Sequence, residues 1–532
     1  MPKQEQSTTE KIITKFYAGI VRDDKSKIVG GAFNCEELDI FSNQDYIQAE
    51  QIMSAQTIPA STEVYAYASG DRDGATNPVM YGYGKRTDAS NQVRLIELAS
   101  GGANDPGNFT TLATSTDTTN LSSLVSDLKF LRDTAASNPT SLYFIMGASA
   151  TWYLVRWNIG AAEFQIWNGS AWAAGTSNAS SDLTGLDGNF MRPTMKVIFG
   201  ELYICHGQYI AQVDKDGTFT EKKFTLPKEW EAVDIIGIAD IFLILCRNKN
   251  RSANYCRAFW WDGASASQFN DSFVLPVGIP LWIVNHQERI KMAAVGSGIL
   301  RLFQLSGAFP GAVPIELPGI ALPDIAADAS TRPISSAKMV SEKDKILYFG
   351  LNKTDKSGIY ALGQLDADKP NALILSKRFD TSDYSLHQPT ALHIQGPNYY
   401  AAFDDNGTAD HSRCESNNSP TRSSNAVYES IFDDDGDARL DKILEELVIL
   451  SRPLAASTSI VLSVGVDYGS YVTKTRPDGT NFTGTNAVLG FYKPASRGKV
   501  LQYKMAFTSS TTNSAKITGI YLKLISNKNY GA

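Results

Sequence analysis

VIFGELYICHG, residues Val197–Gly207, sets two apolar runs around a single Gly-Glu break. Val, Ile, Phe, Tyr and Leu in runs this short favour pleated, buried strands, and the glycines mark the turns. VDKDGTF (Val213–Phe219) follows, and its Asp-Gly pair reads as the hairpin turn of an outer strand. The same succession recurs along the chain. LYFIMG (Leu142–Gly147) precedes QIWNGSAW (Gln165–Trp172), DIFLILCRN (Asp240–Asn248) precedes FWWDGAS (Phe259–Ser265), and KILYFGLNK (Lys345–Lys353) precedes GIYALGQLD (Gly358–Asp366).

Extended to the whole chain, the pattern gives about seven sets: Val64–Ser115, Ser141–Trp172, Met195–Leu226, Val233–Leu275, Leu281–Leu317, Ile334–Phe379 and Ala391–Phe432. Their starts are about 40–75 residues apart, near or above the spacing of propeller blades. A lone four-stranded sheet leaves two apolar faces wet, and radial stacking buries both. The expected fold is therefore all-β, a β-propeller of about seven blades over residues 61–432; six or eight blades and a pair of stacked sandwiches are the alternatives. One stretch reads otherwise: Leu121–Asp133 carries Leu121, Leu124, Val125, Leu128 and Leu131 at helical spacing, which predicts a surface helix.

The two ends differ from this body. Residues 1–60 hold short apolar runs broken by charged turns, too few to close a core, and read as an extended arm packed on the body or on a neighbouring subunit. Asp433–Asp437 reads as a solvated linker; Gly436 and Leu444 fall where a calcium loop needs other residues. Beyond it, residues 438–532 alternate as a β-sandwich, with strands such as ILEELVIL and KVLQYKMAFT.

Of 532 residues, 43% are apolar and 20% charged, enough for a large core, and the net charge of -7 argues against nonspecific DNA binding as the main task. The polar start and the lack of a long apolar run predict no secretion signal and no membrane insertion. Cys35, Cys205, Cys246, Cys256 and Cys414 form no CxxC pair and read as free thiols of a reducing cytosol.

Chemistry-bearing motifs are scarce. There is no G-x-S-x-G, no Walker loop and no H-E-x-x-H, and His411–Cys414 has no second pair at zinc spacing, so neither a metal nor a cofactor is expected. A glycosidase needs two carboxylates facing the sugar, and nothing local selects a pair among the 56 acids. The chain is expected not to be an enzyme. Tryptophans are the remaining candidates. Trp260 and Trp261 are adjacent and so point to opposite faces of a strand, one to the core and one outward; with Trp167 and Trp172 they are the expected interface or glycan contacts.

The stretch FYAGIVRDDKSKIVGGAFNCEELDIFSNQDYI, Phe16–Ile47, resembles the opening of virion structural proteins of tailed bacteriophages. Leu444–Val472 and Lys499–Leu524 are similar to the terminal β-sandwich of such proteins. The resemblance implies a propeller-like tail nozzle, stabilisation or tail-tip component, assembled in the host cytoplasm and found in the virion. It implies other virion proteins as partners, a symmetric homo-oligomeric ring joined through arm, propeller and sandwich, and DNA contact in a central channel. Two alternatives are a carbohydrate- or receptor-binding propeller of a phage tail, meeting a host surface glycan, and a cellular propeller scaffold.

Overall fold

The computed structural model describes residues 5–528 apart from intervening stretches, the longest being 21–30, 71–78, 99–108, 116–123, 133–139, 184–192, 326–334, 365–371 and 378–386. The strands form a seven-bladed β-propeller with a β-sandwich attached. Blades 1–5 are antiparallel sheets over residues 62–114, 124–174, 194–225, 230–275 and 279–322. Blade 6 spans 340–377, and blade 7 takes three strands from 387–416 and its fourth, Ser54–Gln56, from the N-terminal region.

Alternation along each second strand distributes side chains to the two neighbouring blades. In blade 2, Leu142 and Phe144 pack with Tyr81 and Tyr83 of blade 1, whereas Tyr143 and Ile145 pack with Leu202 and Ile204 of blade 3. In blade 3, Tyr203 and Cys205 turn the other way, onto Ile244 and Trp261 of blade 4. Leu243 and Leu245 of blade 4 meet Met292 and Ala294 of blade 5. The ring closes where Val64 and Met80 of blade 1 pack on Ala391 and Ala402 of blade 7. Each of these blade faces is therefore a core face.

The hairpin turns repeat one solution. Asn168, Asp214 and Asp262 each accept two backbone N–H groups from the turn that follows, Ser170 and Ala171, Asp216 and Thr218, and Ala264 and Ser265. Those donors hold the Asp262 carboxyl below its usual range. Gly263 sits at φ +77°, and a Cβ there would lie 2.8 Å from the Phe242 ring, so only glycine fits.

The helix expected over Leu121–Asp133 is instead the innermost strand of blade 2, Leu124–Arg132. A register shift between Val125 and Leu128 inserts an extra residue and changes the phase of alternation, which mimics helical spacing. Asp127 lies at that bulge, fully buried, accepting from the N–H groups of Leu128 and of Met195 in blade 3. Asp234, at the corresponding bulge of blade 4, does the same for Ile235 and for Ile283 of blade 5. Each carboxylate thus ties one blade to the next.

The N-terminal region is woven into the body. Glu5–Ile13 pairs along its whole length with Ile517–Lys528, extending a sheet that also holds Lys442–Ser451 and Leu489–Tyr492. Gly31–Glu36 joins the facing sheet between blade 6 and Val427–Ser430, which pairs with Leu501–Thr508. Leu447, Ile449, Leu462, Met505, Phe507 and Ile520 fill the space between the two sheets. Asp433 pairs with Lys11 at 2.7 Å; the rest of the expected acidic linker, 434–437, lies outside the described residues.

Candidate functional site

The four tryptophans singled out from sequence are packing residues in this fold. Trp260 and Trp261 do point to opposite faces, but both faces are blade interfaces: the first packs with Ile283 and Met292 of blade 5, the second stacks on Phe224 of blade 3 at 4.9 Å. Their exposures are 1% and 0%, so neither ring reaches solvent. Trp167 is buried against blade 3. Trp172 is half-buried; its indole N–H donates to the Gly217 carbonyl at 2.6 Å, and the Arg156 guanidinium covers its ring at 4.7 Å. A sugar platform needs a free face; Trp260, Trp261 and Trp167 are buried, and Arg156 lies over the half-buried Trp172 ring.

Lysines on or beside the first strands of the blades are held by neighbouring groups. Lys338, just before blade 6, donates to the Ser126 carbonyl of blade 2 and lies over the Tyr65 ring of blade 1. Lys196 of blade 3 bonds Asp234 of blade 4 and the Ile283 carbonyl of blade 5. Lys129 pairs with Asp127. Lys338 and Lys196 are thus engaged between blades, and Lys129 within blade 2.

The polar concavity lies elsewhere, at the seam where the N-terminal region crosses blades 6 and 7. A cleft of about 480 Å³ is walled by Asp39, Gln48, Glu50 and Gln51 on one side, and by Lys343, Asp344, Tyr348, Ser376, Tyr399 and Arg422 on the other. A short hairpin supplies the first wall: Leu38–Asp39 pairs with Gln48–Ala49, and the Glu50 N–H continues the pairing to the Glu37 carbonyl at 2.7 Å. Asp39 accepts from the Phe41 N–H and from the Gln48 amide, both at 3.2 Å. Ser376 of blade 6 donates to Glu50 at 2.6 Å, and Arg422 donates to the Ala49 carbonyl at 3.0 Å. The Phe41 ring lies directly on Gly363 of blade 6, where a Cβ would come within 2.8 Å of it.

On the blade side, the Tyr399 hydroxyl donates to that of Tyr348 at 3.1 Å, and the Lys343 ammonium sits 4.4 Å from the Tyr399 ring centroid. Burial pushes both phenols well above their usual range, and the negative charges of Glu50 and Asp39 push further the same way. Both phenols stay protonated and able to donate. None of these cleft residues was marked by sequence reading, because they come from five separated segments and form no local motif. The one local hint is the hairpin LDIFSNQDYIQAE, which spaces Asp39 and Glu50 across a turn.

No protein-family model matches the sequence, and no curated protein does. Similar solved structures include an exo-β-1,3-galactanase from Phanerochaete chrysosporium, at 9% identity and TM-score 0.29, over 89% of this chain and 100% of that one. The Dos1 propeller is similar at 10% identity and TM-score 0.39, over 68% and 95%. A glycoside hydrolase family 43 arabinoxylan arabinofuranohydrolase from Bacillus subtilis is similar at 8% identity and TM-score 0.28, over 88% and 97%. The expectation that the chain is not an enzyme is withdrawn, because the similar structures include glycoside hydrolases. Missing local motifs do not argue against catalysis on a fold that gathers its site from distant segments. No helix among the described residues is long and apolar enough to cross a membrane.

Proposed function

We propose that the chain is a carbohydrate-binding propeller carried on the tail of a phage virion, with a host surface glycan seated in the cleft between the N-terminal hairpin and blades 6 and 7. One observation carries the carbohydrate reading. The cleft brings together carboxylates, amides, hydroxyls and two cations beside tyrosine rings, the groups that hold sugar hydroxyls in place. The virion reading draws support from the way the resembling terminal segments are built together. Ile47 of the first segment bridges to Ile517 in the C-terminal strand. A second reading, a tail-associated component of a symmetric ring, draws on exposed Val274, Val313 and Ile315 on the outer strands of blades 4 and 5.

A glycan array tests the first reading. Wild-type protein is expected to bind a restricted set of glycans, and Lys343→Ala is expected to weaken that binding about tenfold, the loss of one charged hydrogen bond, with the melting temperature unchanged. A silent array, or binding indifferent to every substitution in the cleft, contradicts it.

A further inference from the structure

Glu5–Ile13 is the outermost strand of its sheet, bonded to Ile517–Lys528 on one edge and, among the described strands, to none on the other. We infer that this free edge is an interface, pairing antiparallel with the same strand of a second copy of the chain. The interface does not depend on the carbohydrate reading. Unpaired edge strands invite further pairing, and folds blunt them with short length, bulges, proline or lysine. The other outer edges are blunted in these ways. Phe109–Thr114 of blade 1 is bulged. Trp172–Ala174 of blade 2 is three residues long, and Asp271–Leu275 of blade 4 is five. Phe219–Thr225 of blade 3 carries Lys222 and Lys223, and its pairing is bulged. Val313–Leu322 of blade 5 carries Pro314 and Pro318. Ser54–Gln56 ends blade 7 with three residues, and Val472–Lys474 and Leu489–Tyr492 edge the sandwich with three and four. Glu5–Ile13 has nine residues in unbroken register and no proline.

Its charges do not guard the edge either. Lys11 donates to Asp433 at 2.7 Å, and Glu10 is hydrogen-bonded to Tyr521, so both are held within their own copy. Thr8, Glu10 and Ile12 stand on the exposed face, with Ile12 63% exposed, while Ile13 packs on the core. A twofold axis perpendicular to the sheet keeps each face continuous, so every residue meets one that points the same way. With the axis through Thr9, all nine residues pair. Thr9 then stands opposite Thr9, Thr8 opposite Glu10, and Ser7 opposite Lys11, so each of these charges meets a hydroxyl. An axis through Glu10 or Lys11 would set like charges opposite each other, which is destabilising. The register through Thr9 forms about eight to ten backbone hydrogen bonds, as many as a standard interface carries. The contact is isologous and closes at a dimer.

The test is the association of the full chain, followed by analytical sedimentation as its concentration is raised. A monomer–dimer equilibrium is expected. Thr8→Glu sets a carboxylate opposite Glu10 twice in each dimer and is expected to weaken association about tenfold. Thr8→Lys sets an ammonium there instead and is expected to hold or strengthen it. Position 8 is exposed, so the melting temperature of the monomer should hold in both. Under mild oxidation, Thr9→Cys is expected to give a disulfide-linked dimer above the wild-type background, and Ile12→Cys is not. A chain that stays monomeric at every concentration overturns the inference. So does an assembly that responds alike to both charges at position 8, or one that Ile12→Cys links as readily as Thr9→Cys.

Discussion

Blades 3 to 5 and the seam between blades 6 and 7 use the same strand architecture for opposite ends. In the first region, each blade face is sealed by apolar and aromatic side chains, with Trp260 and Trp261 filling the two faces of blade 4. In the second, the N-terminal hairpin is laid across the blades, and its outer face meets them through carboxylates, amides and tyrosine hydroxyls around a cleft. A propeller closed by one continuous set of blades buries all of its faces. The N-terminal hairpin laid over blades 6 and 7 adds a polar-lined cleft that the sealed blade interfaces lack, and the candidate site sits there.

Three perturbations sharpen that contrast, and the first is the most drastic. Deleting residues 1–56 removes both Ser54–Gln56 from blade 7 and Glu5–Ile13 from the sandwich, and exposes Leu38 and Ala49 contacts in the core. The truncated chain is expected to lose its cooperative thermal transition, as read by tryptophan fluorescence. A truncated chain that melts like the full one would show that the seam is an accessory to the ring.

Trp261→Ala comes next. It empties a site packed between Phe224 and Phe242, and the expected cost is about 3–5 kcal/mol by denaturant titration. Among molecules that remain folded, glycan affinity should be unchanged. Selective loss of glycan binding without loss of stability would return the tryptophan to the role expected from sequence.

The pH effect is the smallest. His286 donates to the Lys345 carbonyl beside the cleft, and burial, with the charge of Lys291 adding to it, lowers its pKa from 6.5 to about 4. His393, in blade 7, is lowered to about 4 by burial and then by Lys129. The unfolded chain therefore takes up these protons first as pH falls, so their contribution to stability is full above about 6.5 and lost as pH drops towards about 4. The melting temperature should fall by several degrees between pH 7.5 and 5, and His286→Gln should flatten that slope. A melting temperature independent of pH over this range contradicts the assignment.

Much of the ring is legible in sequence because strand packing repeats locally. LYFIMG, VIFGELYICHG and DIFLILCRN carry alternating faces that are each buried by a neighbouring blade, so hydrophobicity, turn residues and spacing agree. The legibility ends where a local irregularity or a long-range contact decides. The bulge at Asp127 turned a strand into an apparent helix. The exposure of Trp260 or Trp261 was misjudged because alternation reports opposite faces, and in a propeller both faces are inside. The cleft was not legible at all, since Asp39, Glu50, Lys343, Tyr399 and Arg422 meet only once the N-terminal region has crossed the blades.

The most direct test is an experimental structure of the full chain with a saccharide from the glycan array bound. The ligand is expected in the cleft, within hydrogen-bonding distance of Asp39 or Glu50 and beside Tyr399. A saccharide bound on the outer rim of blades 3 to 5, with the cleft left to solvent, would contradict the account.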